Sequence, residues 1–236
     1  MVQGPRGGTA RRPGSGRIRL MMGGALWMGA TDGARAVCVL VHGRGQSPEE
    51  MQAHVLARLD TQNVCFVMPR AQGGAWYAAR ATDALTEDTR SALSAARHQL
   101  QADIVAARAA CPGLPLVLAG FSQGACLALE YVFSGHPAPD ALVGFTGCRV
   151  GQRGDARPQA LPPDLPVYLT GSDADPWIPV AAFADAVLDL GQGRARLRAE
   201  LFPGRAHEVC DAEVSMLGTI LTDLIRTKTN KMAALQ

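Results

Sequence analysis

Four short runs of the chain are apolar at every position, Val37–Val41, Val64–Met68, Leu116–Ala119 and Ala141–Phe145; Val167–Thr170 is nearly so, and about Arg196–Phe202 is a further strand-length run broken by charged residues. A strand covered on one face alternates apolar and polar residues, whereas a strand covered on both faces does not. These runs therefore predict buried strands. Between them lie helix-length segments, beginning near Pro48 and covering about Thr86–Ala110, Gln123–Phe133, 179–190 and 208–227. Ser47 suits the cap of the first helix, Pro48 its first turn, and Glu49 and Glu50 its dipole. Cys111-Pro112-Gly113 stops the long Ala-rich helix, because proline can supply no backbone donor. Strands alternating with helices predict one α/β domain, a doubly wound and mostly parallel sheet with helices on both faces.

No repeat or linker divides the 236 residues, and this length suits one domain with a sizeable core. Residues 1–16, rich in Gly, Arg and Pro, read as a disordered leader; 17–227 read as the folded domain and 228–236 as a C-terminal tail. Met21–Ala30, behind Arg11, Arg12, Arg17 and Arg19, faintly resembles a signal peptide, but its apolar part is short and Gly-rich. No run reaches the ~18 apolar residues of a membrane span, so no stable membrane insertion is expected.

Charge narrows the picture further. The formal net charge is +2, which points to neither nucleic acid nor an acidic membrane surface as a partner. The six Cys have no CxxC spacing, and Cys38 and Cys65 fall inside buried strands. They read as reduced structural thiols, which places the protein in the cytoplasm. The five His never fall at ligand-like spacing with Cys or with one another, so no metal is expected.

The chemistry begins at Gly120-Phe121-Ser122-Gln123-Gly124, which fits G-x-S-x-G with a strand before it and a helix after it. Such a turn strains the serine and lifts its hydroxyl above the sheet, while the Gln123 amide at the helix start is aimed where an oxyanion forms. Ser122 is thus the expected nucleophile; a serine that merely caps a helix is the plainer alternative. A base and an orienting acid must then follow in the order acid, histidine. Two aspartates compete in Gly171-Ser172-Asp173-Ala174-Asp175-Pro176-Trp177-Ile178-Pro179, and Asp175 is favoured because Pro176 stiffens its turn. His207, just past the last strand, has the order and position of the base. His54, His98 and His136 fit helices or a loop, and His42 a structural role at a strand end.

His42-Gly43-Arg44-Gly45-Gln46 is the Gly-rich loop after an early strand that supplies a second oxyanion donor, here the Arg44 amide. The Arg44 side chain reads as solvated. Trp76 and Tyr77 in a Gly-rich loop, with Trp177, are expected to line an apolar acyl pocket, although core packing explains them about as well.

Four motifs together resemble the small phospholipase/carboxylesterase group of α/β-hydrolases, which includes acyl-protein thioesterases. They are Val39-Leu40-Val41-His42-Gly43-Arg44-Gly45, the Gly120–Gly124 turn, Gly171–Pro179 and Gly204-Arg205-Ala206-His207, and they span about residues 36–227. The resemblance is nearest to bacterial carboxylesterase-like members. It implies an α/β-hydrolase fold, a Ser122-Asp175-His207 triad, the Arg44 and Gln123 amides as oxyanion hole, no cofactor, and no large lid. The Arg-rich leader departs from the compact family pattern. The substrate is expected to be a small-molecule ester, small or lysophospholipid-like. A thioester reacts by the same steps, and a non-catalytic binding protein of the same fold is the competing class. A homodimer is compatible with such a domain; no sequence feature shows one.

Overall fold

The computed structural model describes residues 19–20, 24–29 and 31–227; the expected leader 1–16 and tail 228–236 lie outside the described residues. An eight-stranded sheet runs through the molecule in the order β1-β2-β4-β3-β5-β6-β7-β8. Its strands are β1 (Arg19–Leu20), β2 (Leu26–Met28), β3 (Ala36–Val41), β4 (Val64–Met68), β5 (Leu116–Phe121), β6 (Ala141–Phe145), β7 (Pro166–Ser172) and β8 (Arg196–Phe202). From β4 to β8 every pairing is parallel, and β1 and β2 add an antiparallel edge. The helices are α1 (Pro48–His54), α2 (Glu87–Ala110), α3 (Gln123–Val132), α4 (Val180–Gln192) and α5 (Asp211–Thr227). This is the expected α/β-hydrolase architecture.

The central strands β3, β5 and β6 are apolar throughout because each feeds two cores, whereas the edge strand β8 carries Arg196, Arg198 and Glu200 and has no buried residue. In β3, Val37, Val39 and Val41 face the layer of α2, α3 and α4, while Ala36, Cys38 and Leu40 face that of α1 and α5. In β5, Leu116 and Leu118 take the first face, and Val117, Ala119 and Phe121 the second. Burying one such Val or Leu contributes roughly 1.5–3 kcal/mol, so both layers are strongly held. All ten residues of α3 are buried, the sign of a helix at the centre of its layer.

The helix starts follow their capping chemistry. The Ser47 hydroxyl accepts from the Glu50 amide at 3.3 Å, and the Thr86 hydroxyl from the Thr89 amide at 3.1 Å. The structure differs from the sequence expectation at the start of the chain. The stretch that faintly resembles a signal peptide contains β2, which pairs with β4; its Leu26 and Trp27 are buried, as is the preceding Ala25. Four residues between Gly24 and Gly29 are too few to show a strand period.

Candidate active site

The site lies at the carboxyl ends of β3, β5, β7 and β8, where the loops leaving a parallel sheet converge. Ser122 joins β5 to α3 with φ 53° and ψ −120°. For a residue with a side chain this backbone costs about 1–3 kcal/mol and persists only where the surroundings enforce it. Here they do. The Ser122 amide donates to the Phe145 carbonyl at 2.9 Å, and its carbonyl accepts from Cys126 at 2.9 Å. A Cβ on Gly120 would sit 2.5 Å from the Gly124 carbonyl, and one on Gly124 2.2 Å from the Val41 carbonyl. The two glycines therefore let the helix press against β3 and β5.

His207 follows the turn at Pro203-Gly204 beyond β8. Its Nε2 lies 2.8 Å from Ser122 Oγ, and its Nδ1 lies 2.6 Å from Asp175 Oδ2. An ionised carboxylate only accepts, so Nδ1 carries the ring proton and Nε2 is left to accept from the serine hydroxyl. The Asp175 side chain is buried, and its other oxygen accepts from the Trp177 and Ile178 amides at 2.8 and 2.9 Å. Asp173, the competing acid, is tied elsewhere: it accepts from the Gly204 amide at 2.6 Å. The Phe121 ring packs against the imidazole at a centroid distance of 5.0 Å.

Among the described residues, neither the Arg44 nor the Gln123 backbone amide has a hydrogen-bond partner, and both residues border the cavity above Ser122. The Arg44 loop is tightly drawn: Gly43 donates to Gln46 Oε1 at 3.0 Å, and Gly45 to the Gly74 carbonyl at 2.7 Å. His42 helps to hold it. Its Nδ1 is 2.7 Å from the Gly43 carbonyl and its Nε2 accepts from the Ala71 amide at 3.0 Å. Burial pushes this imidazole below its ordinary pKa, against the opposing pull of the Gly43 bond.

The cavity measures about 350 Å³. Tyr77, Cys126, Ile178 and the exposed Trp177 line its apolar part, and Arg44 and Arg80 bring positive charge to its wall. Trp76 does not line it. It is buried, its indole N–H donates to the His42 carbonyl at 2.9 Å, and its ring lies 5.0 Å from that imidazole. The indole must find an acceptor when buried, and the end of β3 supplies one. The Arg44 side chain is likewise not simply solvated: it donates to the carbonyls of Tyr77, Ala78 and Ala79. Sequence reasoning missed a third support. The buried Gln123 side chain accepts from the Trp76 amide at 3.0 Å and donates to the Tyr77 carbonyl at 2.8 Å, stapling that loop to the helix start. Gln at the position after the serine is the one signal that pointed to it.

Among the described residues no group of His, Cys, Asp or Glu is arranged to hold a metal ion, and no helix is long and apolar enough to cross a membrane.

Residues 28–225 match the model of the Phospholipase/Carboxylesterase family. The chain belongs to this family. No curated protein matches the chain by sequence. Among solved structures, a phospholipase/carboxylesterase from Dyadobacter fermentans is 25% identical, with a TM-score of 0.71 over 84% of this chain and 95% of that one. The Bacillus cereus carboxylesterase shares the fold at 16% identity and a TM-score of 0.67, covering 86% of this chain and 94% of that one. Zea mays acyl-protein thioesterase 2 does so at 18% identity and 0.63, covering 90% and 100%. As a family member the protein is a hydrolase of the carboxylesterase class.

Proposed function

We propose that the protein is a serine carboxylic-ester hydrolase in which Ser122 is the nucleophile, His207 the general base and Asp175 the acid that orients it. The observation that carries this reading is the unbroken chain of contacts from Ser122 Oγ to His207 Nε2 at 2.8 Å and from His207 Nδ1 to Asp175 at 2.6 Å. Hydrogen-bond reach between nucleophile, base and orienter is what such catalysis requires.

His207 takes the serine proton as Oγ attacks the ester carbonyl, and the Arg44 and Gln123 amides receive the oxyanion. Asp175 stabilises the imidazolium that forms. The imidazolium then protonates the departing alcohol, leaving an acyl-enzyme on Ser122. Water activated by His207 attacks this ester, and collapse of the second tetrahedral species releases the acid and restores the hydroxyl. The substrate class is a small or lysophospholipid-like ester: the cavity combines apolar Tyr77, Ile178 and Trp177 with the guanidinium groups of Arg44 and Arg80, which suit an acyl chain and an anionic group. A thioester takes the same path. We place this activity in the cytoplasm, a reading supported by the six cysteines, all of which are free thiols.

The test is kcat/KM on chromogenic esters of graded acyl length, a lysophospholipid and an acyl thioester, for wild type and Ser122→Ala. Hydrolysis lost by several orders of magnitude in the mutant supports the reading, and the profile names the substrate. Equal rates in the two proteins contradict it. No turnover of any substrate by the wild type would favour a binding protein of the same fold.

A further inference from the structure

Behind His207 lies a second polar group of residues that the acyl-transfer steps do not use. Thr146, Thr170, Ser172, Arg205 and Glu213 are all buried, and they come from the end of β6, from β7, from the histidine loop and from the first turn of α5. Glu213 has no exposed surface. Its Oε1 accepts from the Thr170 hydroxyl and lies 3.8 Å from Arg205 Nη2. Its Oε2 accepts from the Cys210 amide at 2.7 Å. The Arg205 guanidinium donates to the Thr146 hydroxyl at 2.6 Å, to the Ala206 carbonyl at 3.2 Å and to the Glu208 carbonyl. The Arg205 carbonyl in turn accepts from Ser172 Oγ at 2.5 Å, and Ser172 Oγ also accepts from the Ala174 amide at 3.2 Å.

The pattern of these bonds is informative. One guanidinium holds the carbonyls on both sides of His207, those of residues 206 and 208. One carboxylate holds the amide of residue 210, where the loop enters α5. One serine hydroxyl joins the histidine loop to the start of the aspartate loop. Residues 204–210 are thus tied at five backbone groups, with the Gly204 bond to Asp173 included. A buried ion pair is a poor device for stability alone, because removing both charges from water offsets most of their attraction. It is a good device for holding backbone groups of separate elements at one geometry.

We propose that Glu213 and Arg205 are positioning residues, a buried brace that sets the His207 ring between Asp175 and Ser122. The proposal rests on the reading of Ser122 and His207 given above. The Thr170 hydroxyl accepts from the Thr146 amide at 2.9 Å, so the brace reaches back through β7 to β6, whose Phe145 carbonyl holds the Ser122 amide. Nucleophile and base are therefore referred to one rigid frame. A misplacement of a catalytic group by about 1 Å can lower a rate by about 100-fold.

The experiment uses the full chain with Glu213→Gln, Glu213→Leu, Arg205→Lys and Thr146→Val, and with Ser122→Ala and His207→Ala as references. For each variant kcat, KM, the melting temperature and the rate of covalent labelling by a fluorophosphonate are measured on the folded fraction. The brace predicts that Glu213→Leu and Arg205→Lys lose about 10- to 100-fold in kcat, with KM within about threefold of wild type. Labelling should slow by the same factor. Glu213→Gln, which keeps an acceptor oxygen, should recover most of the loss. Should Glu213→Leu not fold, Thr146→Val removes a single bond to Arg205 and should lower kcat about three- to tenfold. Folded Glu213, Arg205 and Thr146 variants with wild-type kcat and labelling rates, beside an inactive Ser122→Ala, overturn the brace alone. So does a loss that follows only the melting temperature. Full activity in Ser122→Ala would overturn the reading of the site and the brace with it.

Discussion

The serine turn and the histidine loop hold the two partners of one hydrogen bond, and they are built on opposite principles. The turn at Gly120–Gly124 is set by contact: two absent side chains let α3 approach β3 and β5 so closely that Ser122 has only its strained conformation left. The loop at 203–210 has no such close contact at its glycine: Pro203, Gly204, Ala206 and Glu208 are exposed, and its packing is chiefly that of Val209 in the core and of His207 against Phe121. It is set by polar bonds, chiefly from Arg205, Glu213 and Ser172. Steric definition is cheap in chemistry and leaves a short sequence motif. Polar definition depends on partners scattered along the chain, and leaves almost no local signature.

The comparison can be broken from either side. The largest effect is expected on the polar side, at the acid. Asp175→Asn preserves the shape but presents the wrong donor to Nδ1, and kcat should fall by about 10,000-fold while the fold persists, as steady-state kinetics beside circular dichroism will show. On the steric side the order of damage reverses. Gly124→Ala forces a methyl to 2.2 Å from the Val41 carbonyl, and should cost more than about 3 kcal/mol of stability, read as a lower urea midpoint or a loss of soluble protein. Gln123→Ala lies between the two kinds of support. It leaves the Trp76 amide without its partner and the Tyr77 carbonyl with only its bond from Arg44, and should cost about 1–3 kcal/mol, read as a lower urea midpoint, with a raised KM as the 76–79 loop loosens.

The smallest effect is a pH dependence at His42. Its pKa is lowered in the fold, so between that value and the ordinary 6.5 the unfolded chain binds more protons than the native one. Its contribution to stability is therefore full above about pH 6.5 and is lost as pH falls below it. His136, also lowered, acts in the same sense, whereas Asp103, pushed up to about 6 by burial, acts in the opposite one. The measurement is thus a difference. The wild-type urea midpoint should fall relative to that of His42→Gln between pH 7.5 and 5.5, and parallel behaviour of the two proteins would count against the assigned bonds.

The same contrast explains what could be read in the sequence. Parallel strands buried on both faces have no option but to be apolar runs, so β3 to β7 were legible, as were the five helices and the serine turn; β8, a charged edge strand, was legible from its place between two helix-length segments. Asp175 could be preferred over Asp173 only through Pro176 and the family resemblance; the distinction lies in which carboxylate reaches His207, a matter of three-dimensional register. The sequence leaves Trp76 open between pocket and core, and the structure takes the core: its ring is buried and its indole N–H reaches the His42 carbonyl. β2 was too short to show a period. The roles of Arg205 and Glu213 were invisible, because a buried charge six residues beyond a histidine resembles any charge at the start of a helix.

The central claim is that Ser122 is a nucleophile activated by His207. It is tested most directly by treating wild type, Ser122→Ala and His207→Ala with a fluorophosphonate and mapping the adduct by mass spectrometry. The account predicts one adduct on Ser122 in the wild type, none in Ser122→Ala, and labelling slowed by several orders of magnitude in His207→Ala. An adduct on another residue, or equal labelling of Ser122 with and without His207, would contradict it.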